Sequence, residues 1–426
     1  MTSDPRAEEA YAWIWLPGTT EPVVAGRLAR ERGEIVFNYG RSYLDRADAV
    51  SVFEPELPLR AGPLRPAAGL TMAGCLRDAA PDAWGRRVIL NQLGGRRDDD
   101  VGRLDELTYL LLSGSDRIGA LDFQTSPERY VPRTAGTATL DELLEAAERV
   151  ERGLPLTPDL DRALLHGTSL GGARPKALVD DGPRKMIGKF SSSTDTFDVV
   201  RSEFVAMRLA RRAGLDVAQV RLVSTSGKDV LLVERFDRTR SDAGWQRHAV
   251  VSALTLLGLD EMMGRYASYE DLAEIVRRRF AEPRKALREL FGRLVFNVLS
   301  GNTDDHARNH AAFWTGTTLA FTPAYDICPQ PRTGGEASQA MLICGDDRLS
   351  RLATCLRAAP AFQLDASEAE ELMIRQIDAI VTGFDTVCRE AGLGPAQSEL
   401  LRRRAFLTPV IFEGASQHLR DRAPVW

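Results

Sequence analysis

The hydrophobic pattern of this 426-residue chain changes along its length, and this change constrains the fold. Residues 11–16, 23–28 and 34–39 read as short strands separated by turn residues. From about Val250 onward, apolar residues recur at the i, i+3, i+4 spacing of core-facing helices, notably at 253–259, 269–280 and 284–299. The pattern therefore predicts an α+β fold with a β-rich N-terminal part and a helical C-terminal part.

The part of the chain between these two regions predicts a mixture of strands and helices. Residues 125–139 are loop-like, with two prolines and a glycine, and indicate a domain boundary. Helices are expected at 140–150 and 201–213, and strands at 186–190, 217–223 and 230–234. We therefore expect an N-terminal subdomain at 1–130, a mixed domain at 131–245 and a helical domain at 246–426.

Composition excludes several classes of protein. With 44% hydrophobic and 27% charged residues the chain is not biased toward disorder. A net charge of -5 argues against a surface built throughout to neutralise nucleic-acid phosphates. No apolar run approaches the ~20 residues of a membrane span, and the first ten residues are polar, so we expect a cytoplasmic protein. The five scattered cysteines predict neither a disulfide framework nor a zinc site.

The most informative motif is Gly301-Asn302-Thr303-Asp304-Asp305-His306-Ala307-Arg308-Asn309, followed by Pro323-Ala324-Tyr325-Asp326. In metal-assisted phosphoryl transfer, one Asp orients a hydroxyl or takes its proton, while an Asn and a later Asp hold Mg²⁺ against nucleotide phosphates. Asp304 is preferred over Asp305 as the catalytic residue because its spacing to Asn309 fits the Asp-x-x-x-x-Asn pattern of kinases. The motif directly follows the amphipathic segment 284–299, which predicts a rigidly held loop.

A glycine-containing segment precedes this motif at residues 167–179. Gly171 and Gly172 allow backbone N–H groups to approach phosphate oxygens, and Arg174 and Lys176 add positive charge. The segment is neither a Walker A loop nor a Gly-x-Gly-x-x-Gly loop, and a plain β-turn is an equal alternative.

Two further positions fit a nucleotide site. Lys189 lies in a short apolar strand and Glu203 in the next helix, so the two could form the ion pair that positions a kinase lysine. The alternatives are an edge lysine and a solvated helix residue. Residues 234–237 lie where a kinase chain passes from its sheet lobe to its helical lobe, and backbone groups at such a hinge can bind an adenine edge.

These motifs give the chain a resemblance, along nearly its whole length, to the HipA family of bacterial serine/threonine kinase toxins. In the N-terminal part the resemblance rests on Val24-Ala25-Gly26-Arg27-Leu28, Phe37-Asn38-Tyr39, Leu57-Pro58-Leu59 and Pro81-Asp82-Ala83-Trp84-Gly85-Arg86. Later it rests on Ser169-Leu170-Gly171-Gly172-Ala173-Arg174-Pro175-Lys176, on Val233-Glu234-Arg235-Phe236-Asp237-Arg238 and on residues 301–309.

The resemblance implies a two-lobed, protein-kinase-like fold that uses ATP and Mg²⁺. It makes Asp304 the catalytic Asp, Asn309 and Asp326 the Mg²⁺ ligands and Lys189 a phosphate contact. The remaining residues of the nucleotide pocket would be Gly171, Gly172, Ala173, Arg174, Pro175, Lys176, Glu234, Arg235, Phe236, His306, Ala307, Arg308 and Tyr325.

The resemblance also implies autophosphorylation at Ser169. An added charge of about -1.5 to -2 beside the phosphate loop would repel ATP phosphates or displace the loop, so modification would inactivate the kinase. Thr168 adjoins Ser169 and could share or replace the modification.

Partners follow from the same resemblance. HipA proteins usually bind a small helix-turn-helix antitoxin, HipB, which brings operator DNA to the complex, and the best-known branch phosphorylates an aminoacyl-tRNA synthetase. The residues do not identify the target of this chain. A small-molecule or lipid kinase and a catalytically silent, nucleotide-binding corepressor are the alternatives. Asp326-Ile327-Cys328 replaces the usual Asp-Phe-Gly, which argues against regulation through an ordinary activation loop.

Overall fold

The computed structural model describes residues 7–94, 104–133, 138–165, 168, 172–332 and 334–424. The chain forms two compact units. Unit 1 consists of Met1–Thr196, Val223–Val251 and Phe313–Thr317, and unit 2 of Phe197–Leu222, Ser252–Ala312 and Thr318–Trp426.

Unit 1 begins with an antiparallel sheet in the order β3-β2-β1-β4. Its strands are β1 (Glu9–Ile14), β2 (Val23–Glu31), β3 (Glu34–Tyr39) and β4 (Leu121–Gln124). Arg32 and Gly33 connect β2 to β3 with φ angles of 53° and 88°, as a two-residue hairpin turn requires. The three predicted N-terminal strands are therefore present, and β3 has the predicted bounds.

A second antiparallel sheet has the order β5-β6-β8-β7. Its strands are β5 (Lys176–Asp181), β6 (Arg184–Phe190), β7 (Val220–Thr225) and β8 (Lys228–Glu234), and a separate hairpin follows with β9 (Arg238–Ser241) and β10 (Gly244–Arg247). Ser226 and Gly227, with φ angles of 47° and 75°, form the turn between β7 and β8. β8 begins two residues before the predicted strand at 230–234.

The helices of unit 1 pack on both sheets, and the last two, together with the helix that contains Trp84, share a core with the second sheet. They are α1 (Arg41–Leu44), α2 (Gly74–Arg77), α3 (Ala83–Gln92), α4 (Glu106–Leu112), α5 (Leu140–Glu151) and α6 (Pro158–Leu165). A reciprocal capping box between Thr139 and Glu142 begins α5, as the acidic first turn predicted. Trp84 of α3, Leu144 of α5 and Phe190 of β6 belong to one buried core that joins these helices to the sheet.

Unit 2 is mainly helical. Its elements are α7 (Val199–Arg212), α8 (Ala253–Leu256), α9 (Tyr269–Arg279), α10 (Pro283–Leu299), α11 (Leu352–Ala358), α12 (Ala366–Glu390), α13 (Pro395–Arg404) and α14 (Gln417–Arg420), with the short strand β13 (Leu319–Phe321). Two further short strands, β11 (Ala249–Ser252) and β12 (Ala311–Trp314), each include residues of both units. Pro283 occupies the first turn of α10, where a missing N–H costs no hydrogen bond. The buried Leu287, Leu290, Leu294 and Val298 place α10 in the core, against α9 and α12.

The predicted α+β fold is confirmed, with the short strands β12 and β13 as neighbours in a small sheet within the mainly helical C-terminal part. None of the helices in the described ranges is long and apolar enough to cross a membrane. All five cysteines are free thiols.

Candidate active site

The loop that follows α10 is held at a fixed position by its first two residues. Gly301 has a φ of 65°, and a Cβ built there would lie 2.6 Å from the carbonyl oxygen of Ala405, so only glycine fits. The buried Asn302 donates from its backbone N–H to the Asn297 carbonyl at 2.9 Å and from Nδ2 to Asn297 Oδ1 at 3.0 Å. These contacts fix the direction in which the loop leaves α10.

The two adjacent aspartates of the loop have opposite environments. Asp305 is only 2% exposed, accepts a hydrogen bond from the Tyr269 hydroxyl, and lies 3.1 Å from His310 Nε2. Asp304 is exposed. Asp305 is thus engaged in the interior of unit 2, and Asp304 is the carboxylate that can meet a substrate.

The carboxyl group of Asp304 has a raised pKa. The surrounding protein removes part of its hydration, which disfavours the charged form, and the nearby carboxylates of Asp326 and Asp305 act in the same direction, while His306 opposes them. A raised pKa makes Asp304 a stronger acceptor for a proton than an ordinary surface aspartate.

Asn309 is oriented by the backbone of Asp304. Its Nδ2 donates to the Asp304 carbonyl at 3.2 Å, and its own N–H donates to the His306 carbonyl at 2.8 Å. Because a carbonyl oxygen only accepts hydrogen bonds, the amide nitrogen must face Asp304. The Oδ1 atom of Asn309 is then the group that can act as a metal ligand.

Asp326 lies on a short segment that other parts of unit 2 hold in place. The Ala324 N–H donates to the Asp216 carbonyl at 2.8 Å, and the Ala324 carbonyl accepts from Ala218 at 2.9 Å. The Tyr325 hydroxyl donates to the Arg308 carbonyl at 2.6 Å, which joins this segment to the loop at residues 301–309. Asp326 itself has a left-handed φ of 59°, a conformation that costs a non-glycine residue about 1–3 kcal/mol and is frequent at functional sites.

These donors fit a magnesium ion. Mg²⁺ is usually bound by one or two protein carboxylates, with waters and substrate phosphates completing an octahedron. The Asn309 amide oxygen and the Asp326 carboxylate supply oxygen ligands of that kind, and Asp304 lies close enough to Asp326 for the two charges to interact. In the described part of the chain, no group of three or more His, Cys, Asp or Glu side chains forms a complete metal cage. Asn309 and Asp326 would therefore supply part of the coordination shell of a cation that a bound phosphate also coordinates.

In unit 1, the predicted phosphate loop is anchored to the start of α3. Ser169 and Gly171 lie outside the described residues. The Gly172 N–H donates to Asp82 Oδ2 at 2.6 Å, its carbonyl accepts from the Trp84 N–H at 3.2 Å, and the Trp84 indole donates to the Lys176 carbonyl at 2.9 Å. Gly172 has a φ of 96°, and a Cβ there would lie 2.3 Å from Lys176 Nζ. The lysine ammonium therefore folds back over the loop.

Thr168 is fixed on the same support. It is fully buried, and its hydroxyl accepts a hydrogen bond from the Gly114 N–H at 2.9 Å. A Cβ built on Gly85 of α3 would lie 2.0 Å from the Thr168 carbonyl oxygen. Only glycine therefore fits where α3 contacts the backbone of Thr168. The motif at residues 81–86 thus supports the phosphate loop, a role that its sequence did not indicate.

Two lysines lie side by side on the sheet that follows the loop. Lys176 of β5 and Lys189 of β6 are directly opposite in the antiparallel register, and such pairs project from the same face. Lys176 is buried and Lys189 is half-buried. The other residues of the predicted phosphate loop have separate contacts. Arg174 forms an ion pair with Asp195 at 2.5 Å, and Ala173 is exposed. The carbonyl of the buried Pro175 accepts from the Phe190 N–H at 3.0 Å.

The predicted hinge residues have different environments. The Arg235 side chain is fully buried and binds Asp116 at 3.0 Å and Asp237 at 2.9 Å, and its N–H donates to the Lys185 carbonyl at 2.8 Å. Glu234 approaches Arg184 at 3.4 Å on the surface, and the Phe236 ring lies edge-on to Phe313 at 5.9 Å. The Arg235 side chain is therefore a structural element of unit 1, and only its main chain remains for a nucleotide.

Burial would raise the pKa values of Asp116 and Asp237, but Arg235 and Arg238 outweigh it and hold both below their usual range. This buried cluster escaped the sequence analysis because its partners lie about 120 residues apart and no spacing rule connects them.

The other predicted residues of unit 2 have the following positions. Ala307 is buried, His306 is half-buried, and the side chain of Arg308 pairs with Glu261. Glu203 of α7 is only 3% exposed. The predicted ion pair between Lys189 and Glu203 stays a prediction.

An exposed aspartate, an asparagine oriented by a hydrogen bond to its backbone and a second aspartate near them are the kinds of group that metal-assisted phosphoryl transfer uses. The chain matches the HipA-like C-terminal domain over residues 168–384 and the HipA N-terminal domain over residues 14–124. The chain belongs to the HipA family.

Relatives of this chain carry kinase names. The "Putative kinase Y4mE" of Sinorhizobium fredii is 28% identical over 347 residues, which cover 74% of this chain and 76% of that protein. The serine/threonine-protein kinase toxin HipA of Shewanella oneidensis is 33% identical over 146 residues, 30% of this chain and 34% of that protein.

A solved structure supports the fold. It is the complex of HipA, HipB and operator DNA from Shewanella oneidensis MR-1, which is similar with a TM-score of 0.68 and 19% identity, covering 94% of this chain and 97% of the matched chain. The predicted family and the predicted kinase-like fold are confirmed.

Proposed function

We propose that this chain is an ATP- and Mg²⁺-dependent protein serine/threonine kinase, the toxin of a toxin-antitoxin pair, with Asp304 as its catalytic residue. The observation that carries this proposal is the contrast between Asp304, which is exposed, and Asp305, which is 2% exposed and bonded to Tyr269 and His310. Because the buried Asp305 fixes the loop, the adjacent carboxylate of Asp304 is held in a defined position.

The reaction is a transfer of the γ-phosphoryl group to a Ser or Thr hydroxyl. The hydroxyl oxygen forms a bond to the γ-phosphorus, the bond from that phosphorus to the bridging oxygen breaks, and ADP leaves with the electron pair. The hydroxyl proton passes to the Asp304 carboxylate, whose raised pKa suits it to accept this proton. Asn309 Oδ1 and Asp326 would hold Mg²⁺, which neutralises charge on the phosphates when bound.

The nucleotide is assigned to the remaining residues of the predicted site. Gly171, Gly172, Ala173, Arg174, Pro175 and Lys176 cover its phosphates, with Lys189 as a further contact. The hinge segment 234–236 seats the adenine, with Arg235 contributing main-chain atoms because its side chain is engaged with Asp116 and Asp237. His306, Ala307, Arg308, Asn309 and Tyr325 complete the pocket.

Autophosphorylation at Ser169 is the proposed self-regulation. The adjacent Thr168 hydroxyl is buried and accepts from Gly114, which favours Ser169 as the modified residue. A phosphate at this position adds about two negative charges next to the phosphate loop and would oppose ATP binding.

The proposed partner is a HipB-like helix-turn-helix antitoxin that brings operator DNA to the complex. The similar structure from Shewanella oneidensis contains HipA, HipB and operator DNA, which supports this assignment. The substrate is a protein, with an aminoacyl-tRNA synthetase as the first candidate, and the proposed compartment is the cytoplasm.

The test is transfer of label from γ-labelled ATP with Mg²⁺, using purified protein and a cell lysate. Wild-type protein should label itself at Ser169 and label a discrete lysate protein, whereas Asp304→Asn should do neither. Asp346→Asn, which changes an exposed aspartate of unit 2 outside the site, is the matched control and should retain both activities. Equal labelling by wild type and Asp304→Asn would overturn the proposal. Label in a metabolite or lipid would show that the substrate is a small molecule or a lipid and not a protein.

A further inference from the structure

Unit 2 contains a cavity of about 920 Å³ away from the catalytic loop. It is enclosed by the residues that follow α7, by one face of α10, by β13 and by the middle of α12. Its volume is in the range of pockets that bind small molecules in proteins, which is about 300–1,000 Å³. The apolar part of its wall includes Leu215, Phe280, Phe321 and Leu372.

Two residues of the wall each carry a buried polar atom that has no hydrogen-bond partner among the described residues. Arg293 is 3% exposed, and its Nε donates to Glu289 at 2.8 Å and one Nη to the Thr322 carbonyl at 2.8 Å, but its other terminal nitrogen, Nη1, has no acceptor. Gln376 is 2% exposed, and its Nε2 donates to the Gly292 carbonyl at 2.9 Å, but its Oε1 has no donor. Buried polar groups are nearly always satisfied, so these two atoms can pair with a ligand once their side chains turn toward the cavity.

The charge around the cavity is positive. Arg284, Arg288 and Arg375 are exposed at its edge, and within the described ranges none of them has an ion-pair partner. Lys285, in contrast, is paired with Glu282 at 3.1 Å. The unpaired guanidinium groups would attract an anion toward the buried Nη1 of Arg293.

We infer that this cavity binds a small organic anion. Its anionic oxygen accepts from Arg293 Nη1, a hydroxyl or N–H of the ligand donates to Gln376 Oε1, and its apolar body packs between Leu215 and Phe321. The site is separate from the residues assigned to ATP and Mg²⁺, so it does not depend on the proposed kinase activity.

The wall of the cavity is also bonded to the segment that carries Asp326. Arg293 donates to the Thr322 carbonyl, and the Asp216 carbonyl accepts from the Ala324 N–H at 2.8 Å. Both contacts are made by residues that line the cavity. A ligand that reorients Arg293 would therefore act on the backbone two to four residues before Asp326.

The test uses 4-hydroxybenzoate as the probe, because it carries a carboxylate, a hydroxyl donor and an apolar ring. Benzoate removes the donor, and phenol removes the anion. Inorganic phosphate is unsuitable because the nucleotide phosphate loop would also bind it. Binding to the nucleotide-free, full-length protein is followed by ligand-observed NMR titration, with thermal melts to verify that every variant is folded.

We expect 4-hydroxybenzoate to bind saturably, benzoate to bind several-fold more weakly, and phenol to bind at least about tenfold more weakly, as loss of a charge-assisted hydrogen bond predicts. Ala320→Trp should abolish binding by filling the cavity from an exposed strand position that tolerates an aromatic residue. The double variant Arg288→Gln, Arg375→Gln should weaken it several-fold.

The matched control Arg403→Gln, an exposed arginine of α13 outside the cavity, should bind the probe as the wild type does. Absence of saturable binding to the wild type would overturn the proposal. Equal affinity for phenol and 4-hydroxybenzoate, or unchanged affinity in a folded Ala320→Trp variant, would overturn it as well.

Discussion

The side-chain amide of Asn309 donates to the backbone carbonyl of Asp304 at 3.2 Å, so the residue proposed as a metal ligand also fixes the loop that carries the proposed catalytic aspartate. Asn309→Ala removes the ligand and this hydrogen bond, whereas Asn309→Asp keeps an oxygen ligand, loses the donor and adds a negative charge beside Asp304. We expect Asn309→Ala to lower the transfer rate by on the order of a hundredfold or more. Asn309→Asp should retain Mg²⁺-dependent ADP binding but transfer phosphate slowly.

Calorimetric titration of ADP at several Mg²⁺ concentrations separates these two effects. The hydrogen bond from Asn309 to the Asp304 carbonyl would have no catalytic role if Asn309→Asp transferred phosphate at the wild-type rate.

Asp304 and Asp305 should respond differently to the same substitution. Asp305→Asn weakens the contacts to Tyr269 and His310 in the interior and should lower the free energy of unfolding by about 1–3 kcal/mol. Asp304→Asn should leave stability unchanged or slightly higher, because partial burial and the neighbouring carboxylates, which raise the pKa of Asp304, make its charged form less favourable in the folded than in the unfolded state. Thermal unfolding of both variants, measured beside the labelling assay, tests this contrast; a strongly destabilised Asp304→Asn would count against the assignment.

The contacts between α3 and the predicted phosphate loop can be tested by substitutions outside the residues assigned to ATP binding. In Gly85→Ala, the new Cβ would overlap the Thr168 carbonyl, so the helix or the loop must shift. In Asp82→Ala, the Gly172 N–H loses its acceptor. Both variants should bind ADP about tenfold more weakly while keeping the far-UV spectrum of the wild type.

Gly335→Ala, where a Cβ has nothing within 4 Å, is the matched control and should bind ADP normally. If Gly85→Ala and Asp82→Ala bind ADP as tightly as this control, the anchor has no influence on the nucleotide site.

The elements that the sequence predicted well have local causes. The helix at 140–150 begins with the Thr139 and Glu142 capping box, and the helix at 284–299 follows a proline and carries a continuous apolar face, so their bounds lie within one or two residues of α5 and α10. The hairpin of β9 and β10 was missed because its polar residues show no apolar alternation.

The site was predictable in part for the same reason. Asp304 and Asn309 follow a local spacing pattern, so the sequence can propose them together. The contact of Asp305 with Tyr269 spans 36 residues, and no local pattern contains it. The Asp82 contact with Gly172 spans 90 residues and depends on tertiary packing that a local pattern does not contain.

The buried charge cluster of unit 1 should make its stability sensitive to acid. Asp116 and Asp237 have pKa values held below the usual range by Arg235 and Arg238. A carboxylate with a lower pKa in the folded than in the unfolded state adds stability above the unfolded pKa and loses it as the pH falls. We expect the free energy of unfolding to decrease as the pH falls below about 4.

Asp237→Asn should be destabilised at pH 7 by about 3–5 kcal/mol, because it leaves buried guanidinium charge uncompensated, and should depend less on pH. Urea unfolding between pH 7 and pH 3 measures both effects. Parallel pH profiles for the variant and the wild type would contradict this account.

Occupancy of the cavity behind β13 should be coupled to nucleotide binding through the segment that carries Asp326. Arg293 holds the Thr322 carbonyl, and the Asp216 carbonyl holds Ala324, so a ligand that uses the free Nη1 of Arg293 changes the position or the rigidity of this segment. Such coupling is typically worth about 1–3 kcal/mol and is reciprocal for equilibrium binding. We expect saturating 4-hydroxybenzoate to change the affinity for Mg²⁺-ADP by at least about fivefold, and saturating Mg²⁺-ADP to change the affinity for 4-hydroxybenzoate by the same factor. Calorimetric titrations in both orders measure the two factors, and Ala320→Trp should remove the response to 4-hydroxybenzoate while retaining Mg²⁺-ADP binding. Two affinities that are each independent of the other ligand would show that the contacts of Arg293 and Asp216 do not transmit binding to Asp326.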